Sequence, residues 1–148
     1  MVTDHIHLKD ALDIQGFHMD DPGAGIGPIR ESLGDSFILG ASATNLTQVI
    51  QHAQAGADYI GLGPFKPSLT KPNRFELLTV EDYKVLIKEV KNLNIEIPIL
   101  AVGGIQITDV AELFSTGIHG IAISASIYNA PDVESAYSDF YKAVLDVT

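Results

Sequence analysis

The sequence contains no cysteine, and that absence removes disulfides, thiolate zinc sites and cysteine nucleophiles together. Basic side chains are scarce as well. Nine Lys and Arg stand against nineteen Asp and Glu, a formal charge of −10. A surface that acidic repels nucleic acid and anionic lipid, so neither is an expected partner. It leaves a phosphate ligand open, because a pocket becomes locally positive through backbone amides and a single lysine. No apolar run approaches the roughly 18 residues that span a bilayer. The opening Met1-Val-Thr-Asp-His5 carries neither a basic region nor an apolar signal core. The expectation is a cytoplasmic protein with no membrane partner.

What is present is an ordinary globular balance. Of the 148 residues, 46% are hydrophobic and 19% charged, enough for one domain with a core. Short apolar runs alternate with amphipathic stretches. The runs are Gly16–Met19, Phe37–Ala41, Tyr59–Leu62, Ile97–Val102 and Ile121–Ser124, with a stub at Met1–Thr3. Several lack polar alternation, as parallel strands covered on both faces do. Leu46, Val49, Ile50 and Ala53 form a helical stripe between them. Tyr83, Leu86, Ile87, Val90 and Leu93 form another, opened by Thr79 with Asp82 three residues on, a near capping box. Val133, Ala136, Tyr137, Phe140 and Val144 form a third. One joint recurs at Gly16, Gly56 and Gly117: a helix end, a glycine suited to the left-handed cap, then a buried run. Repeated βα units are the economical reading. Period alone does not separate a partial barrel from an open doubly wound sheet, and either places its ligand at the carboxyl ends of the strands.

Three strand ends carry candidate chemistry. Gly61-Leu-Gly-Pro-Phe-Lys-Pro-Ser-Leu-Thr-Lys71 opens a stretch of about 16 residues without a pattern, and loops that long in compact domains are usually functional. Its glycines admit close backbone approach, Ser68 and Thr70 offer hydroxyls, and Lys71 offers a point charge for a phosphate oxygen. Ala101-Val-Gly-Gly-Ile105 and Ile123-Ser-Ala-Ser-Ile127 end the last two runs, where barrels present amides to phosphate. The histidines (His5, His7, His18, His52, His119) show no metal spacing, and His18 and His119 read as core imidazoles. Asn45-Leu-Thr47 is a glycosylation sequon by letters alone.

In content and order, Gly-Ala-Asp-Tyr-Ile-Gly-Leu-Gly-Pro-Phe65, Pro-Ser-Leu-Thr-Lys71, Ala-Val-Gly-Gly-Ile105 and Gly-Ile-Ala-Ile-Ser-Ala-Ser-Ile127 resemble thiamine-phosphate synthase, from residue 1 to about residue 130. That family joins a pyrimidine methyl diphosphate to a thiazole phosphate and releases pyrophosphate, with Mg²⁺ as cofactor. The resemblance implies an incomplete TIM (β/α)₈ barrel of about six strands, the third to the eighth. It would form a single domain over residues 1–148 without the first two βα units. Lys71 matches the family's diphosphate-binding lysine, placed here as the catalytic residue, and Ser42 a diphosphate-binding serine. Ser68, Leu69 and Thr70 match the segment that holds the thiazole phosphate. Gly104 matches the glycine whose amide meets that phosphate, and Ser124 and Ala125 the small pair beside it. Asp4 matches the first magnesium aspartate. Thr3 precedes it where the family has Asn, and is grouped with the substrate-binding residues. The second magnesium aspartate falls on Asp20 or Asp21.

Each assignment has a plainer counterpart. Asp4 also reads as the N-cap of a segment starting at Ile6, Asp20 and Asp21 as a polar turn, and Ser42 as a cap. The early strand whose Gln, Arg and Lys grip the pyrimidine in the family has no counterpart. A thiazole tautomerase of the same fold would carry histidine two residues after Ser42, where this chain has Thr44. A non-catalytic phosphate-binding remnant is the other alternative. Missing strands leave open sheet edges, which implies either pairing with a second copy or marginal stability.

Overall fold

Six parallel strands form one sheet in the computed structural model, which describes residues 1–67 and 74–148. They are β1 (Val2–Thr3), β2 (Gly16–Met19), β3 (Ile38–Ala43), β4 (Tyr59–Leu62), β5 (Ile99–Val102) and β6 (Gly120–Ala122). Their order in the sheet is their order in the chain. A doubly wound sheet reverses direction at a switch point, whereas a barrel adds each strand on the same side. No reversal occurs among the described strands, so the architecture is an incomplete (β/α) barrel.

Six helices fill the crossovers and the end: α1 (Ile26–Leu33), α2 (Leu46–Gln54), α3 (Val80–Asn92), α4 (Val110–Phe114), α5 (Ala125–Tyr128) and α6 (Val133–Leu145). Single 3₁₀ turns lie at Ile6–Leu8 and Ile107–Asp109. Right-handed crossovers carry successive helices to one face of a singly wound sheet. The residues beneath them are buried: Phe17 and Met19, Leu39, Ala41 and Ala43, Ile60 and Leu62, Ile99 and Ala101. The alternate positions face the concave side. There the strands place His18, Ser42, Gly61 and Val102 along the cleft. No helix among the described residues is long and apolar enough to cross a membrane.

Local chemistry explains the elements. α3 starts where the Thr79 hydroxyl accepts the Asp82 amide and the Asp82 carboxylate accepts the Thr79 amide, a full capping box. The Tyr83 hydroxyl then donates to the Leu62 carbonyl at 2.6 Å, tying α3 to the end of β4, and its burial pushes the phenol pKa up. Asn45, read as a sequon by letters, caps α2 by accepting the Gln48 amide at 3.0 Å. Gly56 and Gly117 take positive φ of 96° and 88° past the ends of α2 and α4, as the recurrent joint requires. Gly16 does not. It is the first residue of β2, preceded by turns, and an added Cβ there would lie 2.8 Å from that of Ile38. At that joint glycine serves close strand approach, not a helix cap. α1 carries no sequence signal of its start, since its N-cap Gly25 makes no side-chain bond and Gly27 and Pro28 occupy its first turn.

Candidate active site

The carboxyl ends of all the strands open into one cleft of about 760 Å³. Asp4 after β1, and Asp20 and Asp21 after β2, form its acidic wall. Asp4 adopts φ 61°, and its carboxylate accepts the Asp20 amide at 2.9 Å, so the ends of β1 and β2 are clasped together. Asp and Asn tolerate that left-handed conformation better than most residues. The N-cap reading of Asp4 is thereby corrected: the turn at Ile6–Leu8 is preceded by His5, with no side-chain cap. Asp21 accepts the Gly23 amide at 2.8 Å in an Asx turn. Buried His52 reaches across from α2 to the Pro22 carbonyl at 3.1 Å and anchors the same turn. Among the described residues no group of three or more His, Asp or Glu is placed to hold a metal ion.

Ser42 lines the cleft at the end of β3. Its Oγ lies 3.0 Å from His18 Nε2, and His18 Nδ1 lies 2.9 Å from the Tyr59 hydroxyl. His18 is therefore no enclosed core imidazole but a half-exposed ring on the concave face, lining the cleft.

The chain leaving β4 runs alongside the end of β5. Phe65 N donates to Val102 O at 2.9 Å, and Lys66 N to Gly103 O at 3.0 Å. Gly103 and Gly104 have φ of 97° and 59°, and a Cβ on Gly104 would lie 2.5 Å from the Pro67 carbonyl oxygen. Both glycines are needed for the loop to close down, whatever else their amides do. The Lys66 ammonium fastens the loop with two bonds, 2.6 and 2.8 Å, to the buried Asp109 carboxylate. That carboxylate also accepts the Gln106 amide at 2.9 Å.

On the last rim β6 ends at Ala122, two residues before the apolar run does. Ser124 is the N-cap of the short α5 and Ala125 its first residue, and both line the cleft. Ser126 donates to the Ile105 carbonyl and accepts from Gln106 Nε2 at 3.0 Å, joining the β5 and β6 rims. Of the residues singled out in the sequence, Asp4, Asp20, Asp21, Ser42, Gly104, Ser124 and Ala125 thus share one cleft. Thr3 lies in β1, exposed and outside the lining. Ser68, Leu69, Thr70 and Lys71 lie outside the described residues.

The family model described as thiamine monophosphate synthase matches residues 1–127. The chain belongs to the thiamine monophosphate synthase family. It is 39% identical over 132 residues to the thiamine-phosphate synthase of Bacteroides thetaiotaomicron, covering 89% of this chain and 63% of that one. The thiamine-phosphate synthase of Nitrosomonas eutropha is 33% identical over 143 residues, 96% of this chain and 65% of that one. Among solved structures, thiamine phosphate pyrophosphorylase from Pyrococcus furiosus superposes with a TM-score of 0.84 at 27% identity. The match covers 99% of this chain and 67% of that one. The chain spans under two thirds of the length of the curated relatives named here.

Reading the sequence residue by residue missed three cleft residues of this thiamine monophosphate synthase relative. His18 had a signal: Phe17 and Met19 are apolar neighbours in a strand, so His18 must face the other way. Arg74 and Phe75 line the cleft beyond the long loop, at positions that no local pattern marks. Arg74 brings a guanidinium to the lining of the same cleft as the acidic wall.

Proposed function

We propose that the chain acts as a thiamine-phosphate synthase-type transferase, coupling hydroxymethylpyrimidine diphosphate to thiazole phosphate with release of pyrophosphate. The observation that carries this reading is the convergence of Ser42, Gly104 and Ser124, from three different strand ends, on one cleft. In the reaction the bond between the pyrimidine methylene and the diphosphate oxygen breaks, and its electron pair leaves with the diphosphate. The thiazole nitrogen lone pair then forms the new carbon–nitrogen bond. No protein nucleophile is needed, so catalysis rests on positioning and on charge neutralisation at the leaving group.

The residues divide the work by strand end. Ser42 donates its hydroxyl hydrogen to a diphosphate oxygen, and Lys71 meets the same group as a point charge. Ser68, Leu69, Thr70, Gly104, Ser124 and Ala125 hold the thiazole phosphate, with Ala125 able to offer its amide alone. Thr3 stands beside the acidic wall. Asp4 with Asp20 or Asp21 would hold Mg²⁺, and these hard oxygen donors suit an ion that commonly takes one or two carboxylates together with substrate phosphates. When bound, Mg²⁺ supplies neutralising charge to the diphosphate. We place the protein in the cytoplasm as a single domain, with its sheet edges covered by a second copy.

The test is to incubate the purified chain with both substrates and Mg²⁺ and to assay thiamine phosphate. Product is expected, with turnover lowered at least tenfold in Lys71→Ala, in line with the loss of one charge-assisted contact at a leaving group. A second reading is favoured by one observation. Ile38, on the concave face of β3, is 46% exposed, so that face is incompletely covered. On that reading the chain is a phosphate-binding remnant. It would give no product but would bind thiazole phosphate saturably, and Lys71→Ala would abolish that binding.

A further inference from the structure

Thr3, His18, Gly40 and Tyr59 are register partners across β1 to β4, and their row ends in a hydrogen-bonded relay. A Cβ on Gly40 would lie 2.1 Å from Tyr59 Cζ and 2.4 Å from its Oη, so glycine there lets the phenol lie across β3 toward His18. The two rings stack with centroids 5.5 Å apart and planes 22° from parallel. Gly61 leaves room on the other side, where a Cβ would sit 3.3 Å from His18 Cε1. The ring is thus held by Tyr59 Oη at Nδ1, 2.9 Å away, and aimed at Ser42 Oγ from Nε2, 3.0 Å away.

A neutral imidazole has one N–H and one lone pair, so this relay has two directions. In one, Ser42 donates to Nε2 and Nδ1–H donates to Tyr59. Ser42 then shows the cleft lone pairs alone, which repel an anion. In the other, Tyr59 donates to Nδ1 and Nε2–H donates to Ser42 Oγ. The serine hydrogen is then released toward the cleft, where an oxyanion accepts it. Burial raises the Tyr59 phenol pKa, which keeps that group in its protonated, donor-capable form. We propose that His18 is a positioning residue that sets the direction of the Ser42 hydroxyl, and that an anionic head group at the β3 rim selects its Nε2–H tautomer. This inference rests on the reading of Ser42 as an anion ligand.

The experiment uses the whole chain labelled with ¹⁵N-histidine and titrated with inorganic pyrophosphate. Long-range ¹H–¹⁵N correlations report the His18 tautomer directly. Saturation is expected to drive His18 to the Nε2–H form. His18→Phe, which has no donor for Ser42, is expected to weaken pyrophosphate about tenfold, the scale of one hydrogen bond to a charged group. Ser42→Ala should weaken it by a similar factor, and the double variant by no more than either single one, because the two residues act as one unit. His18→Gln keeps an amide donor and should recover most of the loss, which a purely structural role would not do. A wild-type chain that binds pyrophosphate with His18 as Nδ1–H overturns the inference and leaves the transferase reading standing. So does additive loss in the double variant. A wild-type chain that shows no saturable binding overturns both.

Discussion

Phe17 and His18 are neighbours in one short strand, yet they belong to different parts of the molecule. Phe17 is fully buried under the helices, while His18 lines the cleft. The same split runs along β3, where Leu39, Ala41 and Ala43 are buried and Ser42 faces the ligand side. It continues in β4, with Ile60 and Leu62 inside and Gly61 at the cleft. The helix-covered face uses apolar side chains throughout, for cohesion. Toward the cleft the concave face presents His18, Ser42 and Gly61, which are small or polar and leave space for a ligand. Two functions are therefore separated by a single residue step, since strand side chains alternate sides.

The sharpest way to break that separation is to truncate each side in turn. Phe17→Ala removes a fully buried aromatic, and about 3–5 kcal/mol of stability should be lost. Ser42→Ala removes a half-exposed hydroxyl and should change stability by no more than about 1 kcal/mol. Urea unfolding of the two variants decides the matter. Comparable midpoints would mean that the concave face carries structural load as well.

Alternation also explains what was legible beforehand. β2 and β4 were predicted with their observed limits, because Gly16–Met19 and Tyr59–Leu62 are bounded by turn residues and buried on their helix side. The start of α3 followed from Thr79 and Asp82, whose side chains speak for themselves at that spacing. α1 was not legible, because backbone and tertiary contacts alone hold its ends. Arg30 within it donates to the carbonyls of Gly34, Phe37 and Gly56 and pairs with Asp58 at 2.6 Å, a network spanning 28 positions that no local window contains. The candidate site was legible where a strand end carries an unusual residue, as at Ser42 and Gly104. It was obscure where the signal is mere facing, as at His18.

Gly104 stands on the boundary between the two regimes, and it should behave as a hybrid. Gly104→Ala forces a side chain into φ 59° and against the Pro67 carbonyl. Left-handed backbone strain and displacement of the loop together should cost about 1–3 kcal/mol. Pyrophosphate and thiazole phosphate affinities should fall in the same variant, because the loop fastened by Lys66 borders the cleft. Denaturation and ligand titration on one preparation report both. A variant with wild-type stability and lost binding would place Gly104 wholly on the ligand side, and the reverse would make the Gly-Gly pair a packing device.

The smallest effect belongs to the outer shell, at the start of α3. The Thr79 hydroxyl and amide bonds hold the Asp82 carboxyl below its ordinary pKa. A carboxylate with a depressed folded-state pKa adds stability above its unfolded value, about 3.9, and loses it as pH falls through the folded value. Wild type should therefore exceed Asp82→Ala in unfolding midpoint at pH 7, and the gap should narrow as pH falls below about 4 toward the depressed folded value, where the folded carboxylate takes up its proton. The side chain is exposed, so the gap is modest throughout. Because α3 lies on the helix-covered side, pyrophosphate affinity at pH 7 should be the same in both chains. A gap that stays constant from pH 7 to pH 3 would show that Asp82 acts through the hydrogen bonds of the capping box and not through its charge, since helix propensity by itself favours Ala. A shift in affinity would show that the two faces communicate through α3.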